Sequence, residues 1–171
     1  NIIASIEGES SGAVESSFNS VLEIPRGAYL TIVDPVLIES GLQNSWHDKA
    51  VGGGSGSSWI RIEGRRPMLI HTDELSDNEE VRGFVVATGK IVQHRLSAPE
   101  LHTVDQVASS VAKNGISNIT LRCSLDPEIH PTLQRRITRE LKGAQGSKGF
   151  MADLDVQRPT GTQKVYVVCK E

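Results

Sequence analysis

VRGFVVATGKIVQH, residues 81–94, and ISNITLRCSL, residues 116–125, bracket the segment whose reading decides the fold. In the first, Val85, Ala87 and Ile91 share one parity, and Phe84, Val86 and Val92 share the other. Side chains alternate across a strand, so apolar residues of both parities predict a strand over 81–94 covered on both faces, at least in its middle. Gly89 interrupts the run and marks either a bulge or a close backbone approach. After Pro99 the period lengthens. Val104, Val107, Ala108 and Val111 recur at helical spacing, with Asp105, Ser109, Ser110 and Lys113 on the wet side. Thr103 and Gln106 stand at capping-box spacing, and Asn114-Gly115 supplies a left-handed stop. In the second stretch Ile119, Leu121, Cys123 and Leu125 alternate with Asn118, Thr120, Arg122 and Ser124, a strand with one dry and one polar face. If the two strands are parallel neighbours, the helix between them is a right-handed crossover.

Downstream, Pro131 is read as the start of a helix in which Leu133, Ile137 and Leu141 recur every four residues. Arg135, Arg136, Arg139 and Lys142 occupy the rest of it, and Gly143, Gly146 and Gly149 end it. Phe150, Ala152, Leu154 and Val156 then alternate with Met151, Asp153 and Asp155. A turn at Pro159-Thr160-Gly161 returns the chain through 164–169 as a hairpin. Upstream, residues 1–6 and 14–24 read as strands, the second paired with 28–33 across Pro25-Arg26-Gly27. Asp34-Pro35 starts a short helix with Val36, Leu37 and Leu42 inward, ending near 41–44. Two short strands, 59–63 and 67–71, flank Glu63-Gly64-Arg65-Arg66, and DELSDNEE at 73–80 is an acidic, solvated loop. The sum is an α+β fold: a mixed or largely antiparallel sheet, two or three helices packed on it, and a C-terminal β-hairpin.

A chain of 171 residues suits a single domain, 1–171, with a core of its own. Residues 52–58, GGGSGSS, have flexible-linker composition. They read as an engineered bridge in place of a loop, with a natural loop as the alternative. A net charge of −3 gives no overall field toward nucleic acid or anionic membrane. No apolar run approaches the ~20 residues of a membrane-spanning helix. A start at Asn1, without Met, basic region or apolar leader, suggests a fragment of an intracellular protein, cytoplasmic or nuclear. Cys123 and Cys169 both fall in strand patterns and read as reduced core thiols rather than a disulfide.

The tempting catalytic motifs fail on spacing. Residues 83–90 mimic a phosphate loop, but five residues separate Gly83 from Gly89, and Ile91 stands where a metal-binding hydroxyl is needed. The histidines at 47, 71, 94, 102 and 130 form no HxH, HExxH or Cys/His pair at zinc spacing. His71, beside Asp73, reads as a surface histidine on the acidic loop. Asp73, Glu74, Asp77, Glu79 and Glu80 are contiguous rather than opposed across a cleft, so they read as solvation. The sequence leans away from an enzyme and implies no catalytic residue, metal or cofactor.

Two binding readings remain, with an enzyme whose site lies partly in absent segments as a weaker third. The first is a non-enzymatic protein-interaction or assembly module. It would contact a partner protein or a second copy through an exposed strand edge or the flank of the 131–142 helix. The second is a nucleic-acid or phosphate-binding domain. Arg135, Arg136, Arg139 and Lys142 would form a basic helix, followed by a Gly/Lys loop, Gly146-Ser147-Lys148-Gly149, that offers charge and backbone N–H groups. Gly146 to Gly149 fits G-x-x-G, which resembles the backbone clamp of KH domains, although a strand follows here where that family has a helix. From Phe84 onward the order strand, helix, strand, helix, hairpin resembles that of rhabdovirus matrix proteins. The likeness rests on order alone, does not extend to the first half, and implies a viral structural protein.

Overall fold

Seven strands and five helices are formed among residues 23–52 and 56–171, which the computed structural model describes. In chain order they are β1 (Tyr29–Val33), α1 (Val36–Glu39), α2 (Gln43–Val51), β2 (Ser58–Ile60), β3 (Met68–His71), α3 (Glu79–Arg82) and β4 (Val85–Leu96). There follow α4 (Val104–Ala112), β5 (Ile116–Arg122), α5 (Ile129–Glu140), β6 (Ser147–Arg158) and β7 (Gly161–Lys170). The strands are hydrogen-bonded in the order β2-β3-β1-β4-β7-β6-β5. The β5–β6 pair is parallel, whereas β1–β3, β2–β3 and β4–β7 are antiparallel. The fold is therefore α+β with a mixed sheet, closed by the β6–β7 hairpin. The contacts divide the chain into two compact units.

The first unit comprises the chain up to Thr88 with Asp155–Gln163. Its β1, β2 and β3 form an antiparallel set around a cluster of Val33, Leu37, Trp46, Ala50, Trp59, Leu69 and Val81. The turn at Pro25 forms, with the Ala28 N–H donating to the Pro25 carbonyl at 3.2 Å. The expected partner strand, 14–24, lies largely outside the described residues. Asp34 Oδ1 accepts from the Val36 N–H at 2.9 Å and so starts α1. That helix lasts one turn and buries Leu37 and Ile38, leaving Val36 and Leu42 exposed, against expectation. Leu42 instead precedes a second helix, α2, that the sequence reading missed. Its Trp46 and Ala50 face the cluster, and the Trp46 Nε1–H donates to the Val81 carbonyl at 3.1 Å. Val81 itself is helical rather than extended. Asn78 Oδ1 accepts from the N–H groups of Glu80 and Val81 and nucleates α3, which delays the strand to Val85. Gly52 ends α2, and Ser58 already belongs to β2.

The second unit comprises Gly89–Leu154 with Lys164–Glu171. Its core joins α4 (Val104, Val107, Ala108, Val111), α5 (Ile129, Leu133, Ile137, Leu141) and β5, β6 and β7 (Ile119, Met151, Val168). The apolar face of α4 is as expected, but its capping box is absent. Thr103 sits at φ −111°, ψ −2°, outside the extended region an N-cap needs, and its hydroxyl accepts from the Glu100 N–H instead. The stop at Asn114-Gly115 forms. Asn114 Nδ2 donates to the carbonyls of Ser110 and Val111, and Gly115 takes φ 68°.

Strands β4 and β5 are not neighbours, because the hairpin β6–β7 stands between them. The helix joining a parallel pair is therefore α5, between β5 and β6, rather than α4. Strand β6 lies between β7 and the last strand, β5, and is buried without a break from Gly149 to Leu154. Asp153 therefore lies inside rather than on a polar face. Its Oδ1 accepts from the Ser124 N–H at 3.1 Å, and Lys164 Nζ stands 3.4 Å from Oδ2. Helix α5 begins at Ile129, two residues before expected, since Pro131 falls in the first turn, where its missing N–H costs nothing. Burial on both sides of β4 fails at Val92, which is exposed. Cys123 and Cys169 are free thiols, and complete burial raises the pKa of Cys169 far above its ordinary value.

Two glycines let strands approach closely. A Cβ on Gly89 would lie 2.7 Å from the Lys170 carbonyl oxygen, and one on Gly149 would lie 2.6 Å from that of Cys169. Ser147, Lys148 and Gly149 are thus the first residues of β6, not a flexible loop. Gly149→Ala must push backbone apart and is expected to destabilise the protein by about 1–3 kcal/mol. Gly83→Ala, whose Cβ meets only an ordinary contact at 3.4 Å, should be near neutral. Urea unfolding midpoints of the two variants test this; equal midpoints would remove the steric account of β6.

Candidate binding groove beside strand β5

The spacing of α5 sets two faces at once. Ile129, Leu133 and Ile137 are buried, which turns residues 135, 139 and 142, spaced by four and three, to one outer face. Arg135, Arg139 and Lys142 there line a groove of about 700 Å³ with Gln134 and Thr138. The opposite wall is Ser117, Asn118 and Ile119 of β5. Successive side chains of a strand point to opposite faces. Three consecutive lining residues therefore mean that the groove runs along the strand edge. β5 ends the strand order among the described residues, pairing with β6 alone. Its other edge offers N–H and C=O groups to an added strand.

The five cations singled out from sequence are not brought together. Arg136 points out of the groove, and its Nε stands 3.3 Å from Asp105 Oδ1 of α4, pinning the two helices. Lys148 is in register with Asn118, while Gly149 and Met151 are in register with Ile119 and Leu121, on the helix-covered face. Lys148 therefore projects from the sheet face turned away from α5. The groove keeps three of the five and adds Ser117, Asn118, Gln134 and Thr138, which the sequence reading passed over. Only the pairing of helix with strand edge identifies those four.

A charge asymmetry is hidden in the overall balance. The second unit carries eleven Lys and Arg against seven Asp and Glu, a net +4, while the remaining residues carry seven against fourteen, a net −7. Among the described residues, no acidic one lines the groove. The first unit has its own cationic loop, also missed from sequence. Arg61, Arg65 and Arg66, around the β2–β3 turn, border a cavity of about 700 Å³, but Glu39 and Glu63 share that border and offset the charge.

The histidine expected at the surface is buried. His71 is 1% exposed and stacks on Tyr29, with ring centroids 5.6 Å apart. Its Nδ1 lies 2.6 Å from the Asp73 carbonyl oxygen, which can only accept, so Nδ1 carries the proton. Nε2 then accepts from Thr31 Oγ1 at 2.7 Å, and Thr31 Oγ1 accepts from Thr88 Oγ1 at 2.7 Å. A hydroxyl held on a neutral imidazole resembles an activated nucleophile. Thr31, however, has no exposed surface for a substrate to meet, so the chain of bonds ties β1 to β3 and β4. Among the described residues, no three His, Cys, Asp or Glu side chains gather as metal ligands, and no helix is long and apolar enough to cross a membrane.

No protein-family model, no curated protein and no solved structure matches this chain.

The buried histidine makes stability depend on pH. Burial lowers the pKa of His71 below 6.5, and that of His47 in the same direction. Below the ordinary imidazole pKa the unfolded chain takes up protons that the folded chain refuses. Stability is thus complete above about pH 6.5 and falls as the pH drops toward the folded values. The urea midpoint should be lower at about pH 5.5 than at about pH 7.5, and His71→Gln should shrink that difference. An unchanged difference would show that His71 does not carry the effect.

Proposed function

We propose that the protein is a non-enzymatic interaction module that docks an extended, acidic segment of a protein in the groove between α5 and β5. The observation that supports this reading is the meeting of Arg135 and Arg139 on one face of α5, with Lys142 just past its end, and a strand edge that is unpaired among the described residues. An extended peptide laid against β5 gains main-chain hydrogen bonds from the edge, the mode of β-augmentation. Carboxylates on that peptide gain charge-assisted bonds from Arg135 and Arg139, whose planar guanidinium groups suit bidentate pairing. The polar outer residues Ser117 and Asn118 add sequence-tolerant contacts. Arg136 acts on this site only indirectly, by holding α5 against α4.

The second reading, a surface for nucleic acid, draws on the net +4 of the unit. It is weaker at the groove itself. Single strands are held by stacking on aromatic side chains as well as by charge, and no aromatic residue lines this groove. The Gly/Lys loop proposed to cradle phosphate is strand, with Lys148 on the other face.

A fluorescence-polarisation titration with an extended Glu-rich peptide and with a single-stranded RNA of equal charge separates the readings. The peptide should bind, weakening at least tenfold in Arg135→Glu/Arg139→Glu, about 1.4 kcal/mol or more, and staying unchanged in Lys148→Glu. Tighter binding of RNA, lost in Lys148→Glu as well, would favour the nucleic-acid reading. Binding of neither would end both.

A further inference from the structure

The chain carries an acidic element that matches its own basic groove. Residues 73–78 form neither helix nor strand and are exposed except at Leu75, which packs on the apolar cluster of the first unit. The Ser76 N–H donates to the Ala50 carbonyl at 2.9 Å, so the loop is tethered at its middle and presents its carboxylates outward. Asp77 and Glu80 have cations of their own, Arg82 and Lys49. Among the described residues no ion pair engages Asp73, Glu74 or Glu79.

We infer that the occupant of the α5/β5 groove is the acidic loop of a second copy of this chain, so that copies associate head to tail. The inference rests on the groove reading above and names its partner. Charge complementarity carries it. A groove lined, among the described residues, by three cations and no acid, in a unit of net +4, is complementary in charge to a segment, 73–80, that carries three carboxylates in its loop and two at the start of α3, in a unit of net −7.

The spacings agree. Arg135 and Lys142 are seven residues apart, or about 10 Å along a helix, while residues 73 to 77 reach about 13 Å when extended. Attraction between unlike charges favours groove-to-loop over groove-to-groove contacts. A contact between two different surfaces does not close on itself, so it propagates as open chains unless a ring geometry intervenes. Both surfaces are exposed, so the contact is screened by salt over about 8 Å at physiological ionic strength.

The test is sedimentation velocity of the whole chain over a wide concentration range, at roughly 20 mM and roughly 500 mM salt. The average mass should rise with concentration at low salt and stay monomeric at high salt. Arg135→Glu/Arg139→Glu and Asp73→Lys/Glu74→Lys, each checked for folding by circular dichroism, should each lose association at least tenfold. An equimolar mixture of the two should associate again, because the intact groove of the loop variant then meets the intact loop of the groove variant, and the two reversed surfaces match as well. A mixture that stays monomeric, or variants that associate like the wild type, overturn the inference. A labelled peptide of residues 72–80 keeps the two proposals apart. Its binding to the wild-type groove without self-association defeats only the second-copy assignment, whereas failure of this peptide and of the Glu-rich peptide to bind defeats the groove reading too.

Discussion

The packing of α5 on α4 is the contact on which the second unit and its groove depend. Leu133 and Ile137 are without exposed surface, and Val104, Val107 and Val111 meet them in one apolar cluster with Ile119 and Met151 of the sheet. Truncating a fully buried Leu or Ile in such a seam costs on the order of 2–5 kcal/mol. The exposed Arg136–Asp105 pair contributes far less, ~0–1 kcal/mol. Apolar burial therefore fixes how α5 is rotated, and the salt bridge only refines it. Once the rotation is fixed, so is the outward direction of residues 135, 139 and 142. The basic face is thus a consequence of core packing, and the strand edge beside it a consequence of where β5 ends the strand order.

The first unit is built on a different constraint. Thr31, His71 and Thr88 are polar groups in an apolar setting, and each is satisfied by the next, ending on the Asp73 carbonyl. Buried polar groups are tolerated only when paired. The pairing holds β1 against β3 and β4, and it anchors the chain just where the acidic loop departs. The same histidine that looked like part of a hydrophilic patch is therefore a structural pin under it. Its neutral state follows from burial and from a hydrogen-bonding pattern that needs one donor and one acceptor.

Two glycines of the second unit serve close contact rather than an unusual backbone angle. At Gly89 and Gly149 a strand backbone sits where a β-carbon would collide with a carbonyl oxygen of β7. A Gly/Lys stretch can look like a phosphate cradle in sequence and still be the tight start of a strand with a neighbour on each side. The residue type is the same for both uses, and only the neighbouring backbone tells them apart.

The sequence by itself determined the periodic elements: the apolar faces of α4 and α5, the C-terminal hairpin, β3, and the stop at Asn114-Gly115. Each depends on interactions within a few residues, where the spacing of side chains and the backbone preferences of Gly and Asn decide the outcome. It misplaced what depends on partners far along the chain. Thr103 has the spacing of a cap but not its backbone angles. His71 sits beside acids in sequence but beneath them in space. β4 and β5 flank one helix, yet two other strands lie between them. Among the basic residues, a single residue step on the helix separates the groove cation Arg135 from the structural Arg136, and strand parity sends Lys148 to the opposite face. Only the tertiary structure decided which cations share a surface, because helix rotation and strand order are set by the summed burial of residues distant in sequence.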